Sequence, residues 1–191
     1  MKNIKMKRLG FSTAFIILLI FAALIYWSPY GIKSKLKKRG VVSSIIIDAP
    51  IEEVYQYLGN SKNASQWSVF VDSIIPLNHK HYRDGSLGSL RRCFADNECK
   101  KWDEKIVALE EYKLRELSVF NLSGFFMGAD NLRTQQLYEE LNNKQSKLSL
   151  TLFYQEEWDD LLDEIKLYVA AYEISKIFEL NLKNIKRLNE C

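Results

Sequence analysis

The stretch DDLLDEIKLYVAAYEISKIFELNLKNIKRL, residues 159–188, predicts one long amphipathic helix. Acidic residues cluster at its start and basic residues lie near its end, and both arrangements are favourable for the helix dipole. Apolar side chains recur at helical spacing and form a broad stripe along the helix. The stripe contains Ile165, Tyr168, Val169, Tyr172, Ile177, Phe178, Ile185 and Leu188. A stripe of this width must be buried against another layer of the protein.

The preceding sequence supplies strands for that layer. Short runs rich in β-branched and aromatic residues are typical of strands. Residues 41–47 form such a run, and the pattern predicts further strands at residues 69–75, 88–94, 100–109, 113–121, 132–141 and 147–154. The last two alternate apolar and polar residues, as a half-buried antiparallel pair does. We therefore predict an α+β fold in which a curved antiparallel sheet of about seven strands surrounds the C-terminal helix.

A short helical region separates the first two strands. Pro50 suits the first turn of a helix, because it has no amide hydrogen to leave unpaired there. Apolar residues follow it at helical spacing up to Leu58, and Gly59 and Asn60 end this helix. A second short helical or turn segment is predicted over residues 63–67.

The first 40 residues contain nine Lys and Arg and no Asp or Glu. Residues 9–32 are uncharged and mostly apolar, and a helix needs about 20 such residues to cross about 30 Å of hydrocarbon. We therefore predict a transmembrane helix at 9–32, preceded by a basic tail at 1–8 and followed by a basic linker at 33–40. Tyr26 and Trp27 lie near one end of this helix, where amphipathic rings favour the membrane interface.

Two questions about this segment stay open at the level of the sequence. The alternative to an anchor is a cleaved signal peptide, although its apolar region would be shorter and would end in small residues. The basic flanks nearly balance, so the positive-inside rule does not decide on which side of the membrane the domain lies. We expect a single-pass membrane protein with an N-terminal anchor.

The remainder of the chain, residues 41–191, is acidic. The chain has 27 Lys and Arg and 24 Asp and Glu, and nine of the basic residues precede residue 41, so 18 basic residues remain against 24 acidic ones. Binding to a phosphate backbone requires clustered Lys and Arg. We therefore expect no nucleic-acid partner, and the sequence indicates no particular protein partner.

The cysteines and histidines do not form a metal-binding pattern. Cys93 and Cys99 either face each other as a disulfide across a hairpin, in an oxidising compartment, or remain free thiols. His79 and His81 share a loop but lack a visible third ligand. Phosphate-binding glycine loops and nucleophile motifs are also missing from the sequence. We therefore expect no metal and no organic cofactor, and we assign no catalytic residue.

Five segments of the sequence carry a family resemblance. They are DAPIEEVYQYL at 48–58, WSVFVDSI at 67–74, DGSLGSLRRCF at 84–94, WDEKIVALEEYK at 102–113 and FELNLKNIKRL at 178–188. In this order they resemble the START-like superfamily, also called SRPBCC, in its polyketide cyclase/dehydrase-like branch. The resemblance covers about residues 41–190, so we interpret 41–191 as one START-like domain. It implies a helix-grip fold with a cavity between sheet and C-terminal helix that takes an apolar ligand.

Aromatic residues are candidates for the lining of that cavity. Tyr168 and Tyr172 are four residues apart and share one face of the C-terminal helix. Phe125 and Phe126 lie in a glycine-containing stretch suited to a flexible cavity mouth, and Tyr154 is a further candidate. Aromatic side chains offer a large contact surface to an apolar guest. The alternative is that these side chains simply fill the core.

Charged residues near the 96–97 turn form a second candidate group. Side chains alternate along a strand, so Trp102 and Glu104 share one face. A turn at residues 96–97 would bring Arg91 or Arg92 opposite Glu104. Inside an apolar cavity such a pair would orient a polar head or a carbonyl. The alternative is an ordinary solvated cross-strand pair, worth at most about 1 kcal/mol.

Three functions fit these observations. The leading hypothesis is a membrane-tethered helix-grip domain that binds a lipid or another hydrophobic small molecule. One alternative is an enzyme of the cyclase or dehydratase type that acts on a hydrophobic substrate, which the resemblance alone suggests. The other is a non-catalytic protein-interaction module whose core is filled by its own side chains.

Overall fold

The computed structural model describes residues 15–33, 38–125, 132–154 and 161–190. The strands are β1 (Gly31–Lys33), β2 (Lys38–Ile47), β3 (Ser73–Pro76), β4 (Leu90–Ala95), β5 (Lys100–Glu110), β6 (Leu114–Ser123), β7 (Leu132–Asn142) and β8 (Gln145–Tyr154). The helices are α1 (residues 15–26), α2 (Ile51–Gly59), α3 (Ala64–Trp67) and α4 (Leu161–Asn189), and a 3₁₀ turn (Ser61–Asn63) precedes α3.

All strands belong to one antiparallel sheet, in the order β1-β2-β8-β7-β6-β5-β4-β3. The register of β5 against β6 shifts near Asp103 and again near Ala108, and β7 shifts against β8 near its end. Such irregularities bend a strand and increase its twist. They help to explain why the sheet curves around α4, as the helix-grip prediction requires.

The predicted elements of the domain are confirmed. All seven predicted strands are present, and the short β1 adds an eighth. The turn at residues 96–97, the helix after Pro50 and the long C-terminal helix also lie where the pattern placed them, with ends shifted by a few residues.

Two apolar clusters join α4 to the sheet. The first contains Leu167 and Ala171 of α4 together with Val41 of β2. The second contains Leu182 and Ile185 of α4, which pack with strand residues such as Leu148 and with the buried side of α2. Ile51, Val54 and Leu58 form that side of α2, at the helical spacing seen in the sequence. The stripe on α4 is therefore buried against a sheet and a second helix.

The helix predicted over residues 9–32 ends earlier in the structure than the sequence indicated. The helix ends at residue 26, and Pro29 explains the stop because it cannot continue a helical hydrogen-bond ladder. Tyr30 is buried in the core, and Gly31–Lys33 pair with the start of β2. Residues 38–40, predicted as linker, likewise belong to β2.

The described residues contain no helix that is both long and apolar enough to cross a bilayer. Residues 9–14 of the predicted transmembrane helix, the basic tail at 1–8 and residues 34–37 of the predicted linker lie outside the described residues.

Candidate ligand-binding cavity

A cavity of about 420 Å³ lies between the sheet and α4. Its walls come from α3 and the segment after it, from strands β4 to β8, and from one flank of α4. Most of the lining is apolar, including Phe70, Val71, Leu117, Val119, Leu122, Leu132, Leu150, Leu152, Ile174, Ile177 and Phe178. Pockets that bind small molecules have this character, with volumes of about 300–1,000 Å³.

Three aromatic rings form one wall of the cavity. The centroid of Trp102 lies 5.6 Å from that of Phe70 and 5.9 Å from that of Phe125, and the Phe70 and Phe125 centroids are 6.2 Å apart. These spacings are typical of tilted and edge-on aromatic pairs. The wall joins the α3–β3 segment, β5 and the end of β6, so it holds three separate parts of the chain around one apolar surface.

A charged pair lies inside the cavity beside this wall. Arg91 of β4 is directly opposite Glu104 of β5. The Arg91 guanidinium donates to Glu104 Oε2 from Nε at 2.8 Å and from Nη2 at 2.6 Å, and the Trp102 indole donates to Glu104 Oε1 at 2.9 Å. The side chains of Arg91 and Glu104 are only 13% and 12% exposed. The pair is therefore an internal feature of the cavity rather than a solvated surface contact.

The neighbouring pair on the same strands points to the opposite face of the sheet. Arg92 donates to both carboxylate oxygens of Asp103, at 2.7 and 3.0 Å, and Asn121 donates to Asp103 Oδ2 at 2.8 Å. The two pairs lie on opposite faces of the sheet because adjacent residues of a strand point to opposite sides.

Both arginines and Asp103 have shifted pKa values. Burial lowers the pKa of Arg91, but the charge and hydrogen bonds of Glu104, together with the nearby Cys93 and Asp84, raise it by more, so it lies above the ordinary value. The hydrogen bond from Arg92 lowers the pKa of Asp103 below its ordinary value and outweighs burial, which raises it. Arg91 and the Asp103 carboxylate therefore both stay charged at neutral pH.

A polar cluster that the sequence reasoning did not single out adjoins the cavity. Arg115 is 3% exposed and donates from Nη1 to Gln136 Oε1 and to the Tyr138 hydroxyl, both at 2.9 Å. The Tyr138 hydroxyl donates to the same Gln136 oxygen at 2.7 Å. Arg115 also lies 4.6 Å from the ring centroid of Tyr55 and donates to the Tyr55 carbonyl in the middle of α2 at 3.4 Å.

This cluster fixes the orientation of the Gln136 amide. Because Gln136 Oε1 accepts two hydrogen bonds, its Nε2 is the end of the amide that remains for another partner. Gln136 lines the cavity, as does Thr134 two residues earlier on the same strand face. The signal in the sequence was the alternation of LRTQQLY at 132–138, which places Thr134, Gln136 and Tyr138 on one face.

The structure places five of the eight candidate residues at the cavity. Arg91, Trp102, Glu104, Phe125 and Tyr154 line it. Phe126 lies outside the described residues. Whether any of these residues binds a ligand stays a prediction.

Tyr168 and Tyr172 are not lining residues and instead contact the N-terminal segment. The Tyr168 ring meets the Tyr30 ring edge-on at 5.2 Å, and the Tyr172 hydroxyl donates to the Leu24 carbonyl at 2.9 Å. The prediction that they face the cavity is wrong, because the described part of α4 meets the cavity with the flank that carries Ala170, Ile174 and Ile177.

The two cysteines in the described part of the chain are free. Cys93 is buried in β4 and Cys99 is exposed in the β4–β5 turn, so the disulfide alternative is not realised. Burial raises the pKa of the Cys93 thiol. Among the described side chains, no group of three or more His, Cys, Asp or Glu is placed to hold a metal ion.

Comparisons with known proteins find similarity in structure. No protein-family model matches the sequence, and a search of curated proteins finds no match. Among solved structures, the protein XoxI from Bacillus cereus has a TM-score of 0.58 at 15% identity, over 78% of this chain and 94% of that one.

Two further solved structures carry functional names. The Zhui aromatase/cyclase from a Streptomyces species has a TM-score of 0.57 at 14% identity, over 80% of this chain and 93% of that one. Norcoclaurine synthase from Thalictrum flavum, in complex with dopamine and hydroxybenzaldehyde, has a TM-score of 0.55 at 9% identity, over 78% of this chain and 84% of that one. At these identities the likeness establishes the helix-grip fold, in which proteins with different chemistry occur.

Proposed function

We propose that the protein binds a hydrophobic small molecule, such as a lipid, in the cavity between the sheet and α4, and that α1 anchors it in a membrane. The observation that carries the proposal is the apolar cavity of about 420 Å³ with polar groups at separate places in its wall. Apolar lining supplies most of the affinity for such a ligand, and the few polar groups fix its orientation.

The polar groups of the cavity favour a ligand with an oxygen acceptor. Gln136 offers an amide donor, whereas the two oxygens of Glu104 already accept three hydrogen bonds from Arg91 and Trp102. A carbonyl or ether oxygen that reaches Gln136 Nε2 would gain a hydrogen bond without breaking one. The aromatic wall of Phe70, Trp102 and Phe125 would then hold the apolar body of the same molecule.

The membrane anchor is supported by the surface of α1. Each of the six consecutive residues from Phe15 to Ile20 is more than half exposed, so the described part of this helix is apolar around its circumference. A helix that packs on a protein surface has an apolar stripe and a polar face, whereas one that is apolar all round is buried in a core or a membrane. The uncharged sequence continues N-terminally to residue 9, and the basic tail at residues 1–8 precedes it.

A cyclase- or dehydratase-type enzyme is the second candidate, since a solved structure with this fold is named an aromatase/cyclase. The buried Arg91–Glu104 pair is the observation that favours it. As placed, both oxygens of Glu104 accept hydrogen bonds and the carboxylate is paired with Arg91, an arrangement that fits ligand positioning better than proton abstraction. The filled-core alternative is opposed by the cavity itself.

Photolabelling of the full-length chain in lipid nanodiscs tests ligand binding. A diazirine-bearing fatty acid is the probe, and peptide mapping locates the crosslinks. We expect crosslinks in the inward-facing residues of β5 to β7. In the Ile174→Trp variant the larger side chain occupies the cavity, so cavity labelling should fall by about tenfold, which corresponds to about 1.4 kcal/mol.

Lys176→Trp is the matched control, because residue 176 lies on the same helix and is exposed. It should leave the cavity labelling unchanged. Labelling confined to α1, or equal loss in both variants, contradicts binding in the cavity.

A further inference from the structure

The C-terminal end of α1 is fixed to α4 by specific contacts. The Tyr172 hydroxyl donates to the Leu24 carbonyl at 2.9 Å, and the Ser28 hydroxyl donates to the Tyr168 carbonyl at 2.7 Å. Tyr30 follows at once and packs its ring edge-on against that of Tyr168. The chain then enters β1, which pairs with β2. The connection between α1 and the domain is therefore held by contacts at Leu24, Ser28, Tyr30 and β1.

Exposed residues in the lining indicate that the cavity opens on the other flank of the same helical turns. With 3.6 residues per turn, Tyr168 and Tyr172 share one side of α4, whereas Ala170, Ile174 and Ile177 lie on the opposite side. Those three residues line the cavity, and so do two exposed residues, Glu173 of α4 and Gly124 after β6. The opening and the docked end of α1 are therefore separated by about one helix width of 10–12 Å.

The opening and α1 also lie at the same end of the sheet. β1 pairs with the first residues of β2, which lie beside the last residues of β8. Lys100 at the start of β5 and Phe125 beyond the end of β6 line the cavity at this end. The β7–β8 turn marks the far end, about 30 Å away, because a ten-residue strand rises about 3.3 Å per residue.

We infer that the docking of α1 on α4 holds the opening of the cavity against the bilayer that α1 enters, so that ligand passes between bilayer and cavity without crossing bulk water. The inference rests on the proposed function. The partner surface is a lipid bilayer, because the exposed residues next to the docked segment are Tyr26 and Trp27, at 82% and 71%. The exposed charged residues at this end of the sheet include both basic ones, Arg39 and Lys101, and acidic ones, Asp96 and Glu98. The contact between the protein and the bilayer therefore does not require anionic lipid.

A fluorophore at the native Cys99 tests the orientation. Cys99 is exposed at the anchor end of the sheet, whereas Cys93 is fully buried and stays unlabelled. The full-length chain with Cys191→Ser is labelled at Cys99 and placed in phosphatidylcholine vesicles with a nitroxide on the headgroup. The control carries Cys99→Ser, Cys191→Ser and Lys144→Cys, which moves the label to the β7–β8 turn.

We expect nitroxide quenching to be several-fold stronger for the label at position 99 than for the label at position 144. Equal quenching at the two positions overturns the inference, and so does a chain that fails to enter the vesicles. The difference should shrink in the double variant Ser28→Ala/Tyr172→Phe, which removes the two hydrogen bonds between α1 and α4. An unchanged difference in that variant contradicts the role of these contacts.

Photolabelling separates this inference from the function on which it rests. In detergent, cavity labelling by the diazirine fatty acid should be the same in the double variant as in the parent, because neither substituted side chain lines the cavity. If the cavity is labelled but quenching is equal at the two positions, the inferred orientation is wrong and the proposed binding function still stands. If the parent chain shows no cavity labelling, the proposed binding function is wrong, and this inference is wrong with it.

Discussion

At the scale of single residues, the buried Arg91–Glu104 pair is the feature with the sharpest energetic consequence. Removing one partner of a buried ion pair leaves an uncompensated charge, at a cost of about 3–5 kcal/mol. We expect Arg91→Met to lower the free energy of unfolding by about 3 kcal/mol, because Glu104 would keep only the Trp102 hydrogen bond. Chemical denaturation followed by tryptophan fluorescence measures this loss.

The double variant Arg91→Met/Glu104→Gln is the control for that experiment. The introduced glutamine side chain would be neutral and could still accept from the Trp102 indole, so most of the lost stability should return. A double variant as unstable as the single one indicates that packing of the Arg91 stem, rather than the unpaired charge, dominates.

The lowered pKa of Asp103 predicts how the stability of the protein depends on pH. The folded-state pKa of Asp103 is lowered by Arg92, so the stabilisation is present above the unfolded-state pKa of about 3.9 and is lost as the pH falls below it. We expect Asp103→Asn to be less stable than the parent at pH 7 and to approach the stability of the parent near pH 2. Unfolding curves at several pH values measure this convergence, and a constant difference across the range contradicts it.

The sequence allowed one of the two buried arginine sites to be predicted. The Arg91–Glu104 contact follows from local rules, because a turn at residues 96–97 sets the register and alternation sets the face. The Arg115 site depends instead on where α2 meets β6, more than 50 residues apart in the chain. Such a meeting depends on tertiary packing, and no periodicity in the sequence encodes it.

At the scale of elements, the β4–β5 turn stores backbone strain. Asp96, Asn97 and Glu98 have φ angles of 56°, 54° and 68°, in the left-handed region that costs non-glycine residues about 1–2 kcal/mol. We expect Glu98→Gly to raise the free energy of unfolding by about 0.5–1 kcal/mol. Glycine adopts a positive φ without the steric cost, but it loses more conformational entropy on folding, which offsets part of the gain. Thermal or chemical unfolding measures the gain.

Glu110→Gly is the matched control for the turn. Glu110 ends β5 without a positive φ, so glycine should lower stability there by about 0.5–1 kcal/mol. Opposite signs at the two positions are expected, and a loss at both positions argues against strain in the turn.

The elements that sequence analysis misplaced are those with the least periodic signal. β1 has three residues and exists because the start of β2 offers a free edge to pair with. The basic residues around it indicated a linker, since a strand this short shows no alternation. Tyr168 and Tyr172 were assigned to the cavity because helical spacing identifies a shared face but not which neighbour that face meets.

At the scale of the whole molecule, the proposed binding of a ligand in the cavity predicts that stability depends on that ligand. A ligand at 100 times its Kd stabilises the folded state by about 2.7 kcal/mol. For a protein of this size we therefore expect the diazirine fatty acid, at saturation in nanodiscs, to raise Tm by about 5–10 °C. The Ile174→Trp variant should show no such rise, whereas Lys176→Trp should match the parent. A rise of equal size in all three proteins indicates binding outside the cavity.

Both margins of the sheet are protected against joining another chain. On one side the last strand, β3, has only four residues and ends in Pro76. On the other side β1 covers the start of β2, and the Lys186 ammonium of α4 donates to the Ile46 carbonyl at its far end. Short edge strands and edges covered by a helix are the devices that prevent intermolecular β-pairing. If α1 anchors the protein in a membrane as we propose, copies crowded together by diffusion in two dimensions would meet without an open edge, among the described strands, through which to aggregate.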